Sequence, residues 1–145
     1  MDPRSATAVW KGSGKEGSGT LSTLSGALTQ QAYSFDTRFK SLDGKAGVNP
    51  EELIAAAHAA CYSMALAFAV SKAGAEAQEL TCRAELSLAQ AEGRFSIGGI
   101  RLVVVGKVAG MDAAKFAQIA EAAKIDCPVS RALAAVPMTL ELKLG

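Results

Sequence analysis

A chain of 145 residues has the length of one domain, and with half its residues apolar and a fifth charged it has the balance of a folded core rather than of a disordered tail. The formal net charge is +1 and no run of Lys or Arg forms a basic stripe, which argues against a nucleic-acid binder. Three cysteines, with no apolar signal core in Met1–Trp10, do not make a disulfide scaffold, so a cytoplasmic, reducing setting is expected.

In chain order, Thr7–Trp10 reads as a first strand. Lys11–Gly19, with four glycines, reads as a hairpin loop, because it lacks the strand–GxxxxGK–helix setting of a phosphate cradle. Thr20–Leu24 reads as a second strand. In Tyr33–Phe39, Tyr33, Phe35, Thr37 and Phe39 alternate with Ser34, Asp36 and Arg38, the period of a half-buried strand.

A helix start follows at Asn49-Pro50-Glu51-Glu52. Asn can cap, Pro fits the first helical position, and two acids face the positive end of the helix dipole. The helix should run to about Lys72 and stop at Gly74. Leu53–Val70 is 18 residues without a formal charge, near the lower limit for a membrane span, but His58, Cys61, Tyr62 and Ser63 interrupt it. A helix apolar nearly all round and enclosed by protein is the better reading, with Leu53, Ala57, Cys61, Met64 and Phe68 forming one stripe. Leu80–Leu88 alternates as a strand with Cys82 on its apolar face, and it can pair through a turn near Glu92-Gly93 with a strand around Leu102–Val105. Asp112 caps a helix to about Lys124 with Phe116, Ile119, Ala120 and Ala123 inward. A short helix after Cys127-Pro128 ends near Pro137, and Met138–Leu144 closes the chain as a strand. Strands, buried helix, strands, two helices and a strand make one α+β domain over residues 1–145.

The chemistry, if any, sits on the thiols. Cys82, on an apolar strand face, reads as a core residue with a raised pKa. Cys127 opens a helix, where free N–H groups favour a thiolate, although a core thiol is an equal reading there. Cys61 lies deep in its helix beyond the reach of the dipole, so packing is its plain reading. To react it needs a positive charge from elsewhere, ideally an Arg held by a carboxylate. His58 and Cys61 stand at i and i+3 on one helical face. That spacing admits a hydrogen-bonded structural His, a base beside a nucleophile, or, with Cys127, a zinc ligand set.

Asn49-Pro-Glu-Glu-Leu-Ile-Ala-Ala-Ala-His-Ala-Ala-Cys-Tyr-Ser-Met-Ala-Leu66 resembles the signature helix of the OsmC/Ohr proteins, and Cys127-Pro-Val-Ser130 resembles their second cysteine motif. Thr20-Leu-Ser-Thr23 and Tyr33–Phe39 look like early strands of the OsmC branch. The resemblance implies an OsmC-like fold, with antiparallel sheets around a long buried central helix in an intertwined homodimer. It also implies a peroxidase of organic hydroperoxides that needs no cofactor. By motif position Cys61 would be the peroxidatic cysteine and Cys127 the resolving one. Arg38 would hold the Cys61 thiolate and Glu51 would orient Arg38. A dithiol, in the family a lipoyl donor, would reopen the disulfide, with neither nucleic acid nor membrane as partner. Glu51 and Cys61 are ten residues apart, about 15 Å along a helix, which predicts that Glu51 reaches the site from the partner subunit. The competing readings are a non-catalytic binding protein for an apolar small molecule and a structural zinc module.

Overall fold

The computed structural model describes residues 1–145, which divide into two units, Met1–Leu53 and Ile54–Gly145. In the first unit, β1 (Ala6–Lys11), β2 (Ser18–Thr23) and β3 (Gln31–Ser34) form an antiparallel sheet in that order. The register places Trp10, Gly19 and Tyr33 side by side across it. The two aromatic rings lie 5.4 Å apart between centroids. A Cβ on Gly19 would stand 2.6 Å from the Tyr33 ring and from the Val9 carbonyl, so only glycine fits beneath that pair.

The alternation in Tyr33–Phe39 is not a single strand. Pairing ends at Ser34, and Phe35–Phe39 form a short helix, α1. The cause is a capping box. Thr37 N–H donates to Ser34 Oγ at 3.2 Å, and Ser34 N–H donates to Thr37 Oγ1 at 3.0 Å. Phe35 and Phe39, at i and i+4, then pack with their rings tilted by 45° and centroids 4.8 Å apart. Arg38 therefore projects from a helix rather than from a strand.

The long helix α2 spans Pro50–Lys72, as its ends predict. Glu52 N–H donates to Asn49 Oδ1 at 2.8 Å. At the other end Gly74 takes φ +84°, Ala75 N–H reaches the Val70 carbonyl and Gly74 N–H reaches that of Ser71, a Schellman closure. Length and composition alone would let α2 cross a membrane. In this chain, however, His58, Tyr62, Leu66 and Val70, spaced four apart, are buried in the second unit. Enclosure on every side, the expectation for a helix apolar all round, is not reached within one chain. Met64 is 61% exposed and Phe68 72%, so the chain itself covers only one face of an all-apolar helix.

In the second unit, β4 (Glu76–Ala91) and β5 (Arg94–Ala109) form a long antiparallel hairpin. Glu92 and Gly93, at φ +51° and +75°, make its two-residue turn. The sheet is not wholly antiparallel, since β6 (Met138–Leu144) adds to β5 in parallel. A parallel neighbour requires a crossover, and α3 (Ala113–Asp126) and α4 (Pro128–Ala132) supply it. Lys115 N–H donates to Asp112 Oδ1 at 2.7 Å, and Phe116, Ile119, Ala120 and Ala123 are buried as their spacing predicts. Ile100, Leu102, Val104 and Val108 line the inner face of β5. On the outer face Arg101 bridges Glu85 at 2.7 Å and Glu141 at 2.6 Å across three strands.

Gly106 completes the inner row of β5, where a Cβ would stand 2.6 Å from Cζ of the buried Phe116 ring. Gly106→Ala should lower unfolding stability by about 1–3 kcal/mol in urea titrations, through overpacking. Gly14→Ala, at a position with nothing within 4 Å, should change it by less than about 0.5 kcal/mol.

Candidate active site

Two helices of the second unit bring two thiols together. Cys61 lies midway along α2 and is partly exposed. Cys127 is the residue from which α4 starts and is fully buried. Both are free thiols, and their side chains are hydrogen-bonded to each other. Pro128 occupies the first turn of α4, and that turn aims the Val129 N–H at both sulfurs and the Ser130 N–H at Cys127. The Ser130 hydroxyl also bonds to the Cys127 sulfur.

These donors divide unequally. Burial pushes the Cys61 thiol up, and only the Val129 N–H opposes it, while Cys127 adds to the rise. Burial acts to raise Cys127 as well, but the Ser130 amide and hydroxyl, Cys61 and the Val129 amide outweigh it and hold that thiol below its ordinary value. Cys127 is thus the thiol that ionises more readily within this unit, as its helix-start position predicts. Cys82, opposite Val104 in the β4–β5 register, is pushed up to about 11 by burial, in keeping with a core role.

His58 does not bond to Cys61, despite the i, i+3 spacing. Its Nε2 lies 2.8 Å from Ser130 Oγ, and its Nδ1, also buried, has no hydrogen-bond partner. Burial lowers the pKa of the imidazole, which favours the neutral ring. No group of three or more His, Cys, Asp or Glu side chains converges as a metal ligand set. Tyr62, one residue after Cys61, donates its hydroxyl to the Ala120 carbonyl at 2.9 Å and ties α2 to α3.

The other two candidate residues pair with each other in the first unit. Arg38, on α1, places Nη2 2.7 Å and Nε 3.2 Å from Glu51 Oε1 at the start of α2. The guanidinium also lies 4.9 Å from the centroid of the Phe39 ring. Glu51 is the more enclosed partner, with its side chain 12% exposed against 37% for Arg38. A carboxylate gripping Nε and one Nη leaves the remaining guanidinium N–H groups free for an anion. An apolar cleft of about 230 Å³ lies in the same unit, lined by Ala8, Leu21, Tyr33, Val48, Pro50 and Leu53.

The structure thus joins Cys61 to Cys127 and Arg38 to Glu51. Sequence reasoning missed Ser130, although it sits three residues after a helix-start cysteine, the offset at which a hydroxyl meets the capping residue. It also missed the His58–Ser130 bond, which spans 72 positions and leaves no trace in local spacing.

The profile of OsmC-like proteins matches residues 42–142, which include Glu51 and both candidate cysteines. Peroxiredoxin OsmC of Escherichia coli is 46% identical over 137 residues, covering 94% of this chain and 93% of that protein. Organic hydroperoxide resistance protein OhrB of Bacillus subtilis is 36% identical over 103 residues, covering 70% and 74%. The crystal structure of that OhrB superposes with a TM-score of 0.71, covering 97% of this chain and 98% of the other. An organic hydroperoxide resistance protein from Elizabethkingia anophelis superposes at 0.74, with 25% identity, covering 100% and 98%. On the profile match over most of its length and on 46% identity across nearly the whole of both proteins, the chain belongs to the OsmC-like family.

Proposed function

We propose that this chain is a cytoplasmic thiol peroxidase that reduces organic hydroperoxides to alcohols, with Cys61 as nucleophile and Cys127 as resolving thiol. One observation carries the reading: two free thiols from different helices in hydrogen-bond contact, so that a disulfide needs little backbone movement. The names of the relatives, peroxiredoxin and organic hydroperoxide resistance protein, support the reaction class.

Cys127 is the more acidic thiol but is fully buried, whereas Cys61 is partly exposed and within reach of a peroxide. Access therefore favours Cys61 as the attacker, and an added cation must overcome the burial that raises its pKa. Arg38, already oriented by Glu51, is the candidate cation. We place it at Cys61 across a homodimer, supplied by the partner subunit, since Glu51 and Cys61 stand about 15 Å apart along α2. The exposed apolar face of α2 at Met64 and Phe68 supports such a pairing.

The Cys61 thiolate attacks the distal peroxide oxygen. The O–O bond breaks, the alkoxide leaves and takes a proton to become the alcohol, and Cys61 becomes a sulfenic acid. The Cys127 thiolate then attacks the Cys61 sulfur. The S–S bond forms, the S–O bond breaks, and the hydroxide leaves as water with the proton that Cys127 gave up. A dithiol, a lipoyl group being the family's donor, exchanges with the disulfide and returns both thiols. The apolar cleft is suited to the hydrocarbon part of the substrate.

One equivalent of cumene hydroperoxide should remove two hydrogens from the protein, with peptide mapping locating a Cys61–Cys127 link. Cys61→Ser should abolish turnover, and Cys127→Ser should leave a sulfenic acid that dimedone traps. An unchanged mass would return both thiols to a packing role and sink the peroxidase. Arg38→Ala or Glu51→Ala should lower kcat/KM by about 10²–10³ in a peroxide-consumption assay, the range for losing a preorganised electrostatic group. Phe68→Glu should convert a dimer to monomer in sedimentation equilibrium and remove activity with it. A fully active monomer would contradict the shared site.

A further inference from the structure

Neither the sequence motifs nor the two-cysteine cycle gives His58 a task, yet it is enclosed, spans two helices and ends on the serine that touches Cys127. We propose that His58 and Ser130 form a fixed hydrogen-bond relay, His58 Nε2–H to Ser130 Oγ and Ser130 Oγ–H to Cys127 Sγ, which holds the resolving cysteine as a thiolate. Ser130 is then a catalytic residue, since its hydroxyl touches a reacting sulfur. His58 is a positioning residue that acts through it.

The direction of the relay follows from counting protons. Ser130 Oγ has one proton and two neighbours, His58 Nε2 at 2.8 Å and the Cys127 sulfur. Were the serine proton turned to Nε2, the neutral ring would carry its own proton on Nδ1. That N–H would be buried with no acceptor, because Nδ1 has no partner. A doubly protonated ring would strand the same N–H and add a buried charge. With the proton on Nε2, only a lone pair at Nδ1 is left unmatched, and unmatched acceptors are tolerated in protein interiors more often than unmatched N–H groups. The Nε2–H tautomer therefore leaves Ser130 one use for its proton, the sulfur.

The other groups facing Cys127 agree. Cys61 on α2 donates to it, and the Val129 and Ser130 amides of α4 point at it. Tyr62 is held neutral by burial and engaged with Ala120, and no Lys or Arg is among the groups acting on the thiol. Ionisation of the buried Cys127 sulfur is thus favoured without a cation, by four donors of which the hydroxyl needs a second residue to aim it. The kinetic consequence, rapid attack on the Cys61 sulfenic acid before over-oxidation, rests on the peroxidase reading. The tautomer and the thiolate do not.

His58 is the only histidine in the chain, so its imidazole ¹⁵N spectrum is free of overlap. It should report the Nε2–H tautomer at neutral pH, and an Nδ1–H or doubly protonated ring would overturn the proposal. In the reduced Cys61→Ser protein, ultraviolet titration of the Cys127 thiolate should show the thiolate fraction below its midpoint falling about tenfold in Ser130→Ala, a shift of about one pH unit. His58→Met should give the same shift, the double variant no more than either, and Ser130→Thr should restore the midpoint. An unmoved midpoint in folded Ser130→Ala, or additive shifts in the double variant, would refute the relay. With Cys61 present, the same variants should lengthen the life of the dimedone-reactive sulfenic acid about tenfold. If the unmutated protein forms no disulfide with peroxide, the peroxidase reading fails, and the tautomer and titration still decide the relay.

Discussion

The donor groups at the start of α4 are the constraint on which the chemistry of this chain depends. A helix start leaves backbone N–H groups without intrahelical partners, and here those of Val129 and Ser130 are turned toward sulfur. Five residues would be too short to form a helix alone. α4 exists because Pro128 presets its first turn and because the crossover between two parallel strands holds it in place. The long β4–β5 hairpin, the parallel β6 and the buried face of α3 thus have one result in common, a rigid placement of two amides and a hydroxyl.

The second half of the site is the face that α2 presents. A helix with apolar residues all round has no intrinsic preference for which side to bury. The Tyr62 hydroxyl bond to the Ala120 carbonyl and the His58 bond to Ser130 are directional, and with Leu66 and Val70 they fix the rotation of α2 about its axis. That rotation leaves Cys61 at the edge of the buried face, where its sulfur meets Cys127 on one side and is open on the other. A rotation of one residue, about 100°, would either bury the thiol fully or carry it away from its partner.

The two thiols illustrate how burial and hydrogen bonding compete. Both are desolvated, yet their pKa values move in opposite directions because Cys127 collects several donors and Cys61 few. When such a pair ionises, its members share one negative charge, and a cation brought to Cys61 would draw that charge toward the exposed sulfur. Arg38 and Glu51 form a pair whose geometry is complete within the first unit. The guanidinium needs no further ordering before it meets an anion.

Much of this was legible in the sequence, wherever the controlling interactions are local. The Asn49 cap, the Gly74 stop, the Asp112 cap, the inward row of α3 and the Glu92-Gly93 turn depend on residues within a few positions of one another, and each was read at its place. The direction of the Cys127 shift was legible for the same reason, since three of its four donors lie two and three residues away. Tyr33–Phe39 misled because alternation and a capping box coincide there, and the two hydrogen bonds between Ser34 and Thr37 prevailed over the period. The buried face of α2 was not legible, because an all-apolar helix carries no directional signal and only contacts 58 and 72 positions distant choose that face. The sequence by itself determined which residues start and stop the elements and which thiol a helix start would activate. Only the tertiary structure decided the meeting of Cys61 with Cys127, the grip of Glu51 on Arg38 and the aim of Ser130, because those depend on side chains that come near one another only when distant segments pack.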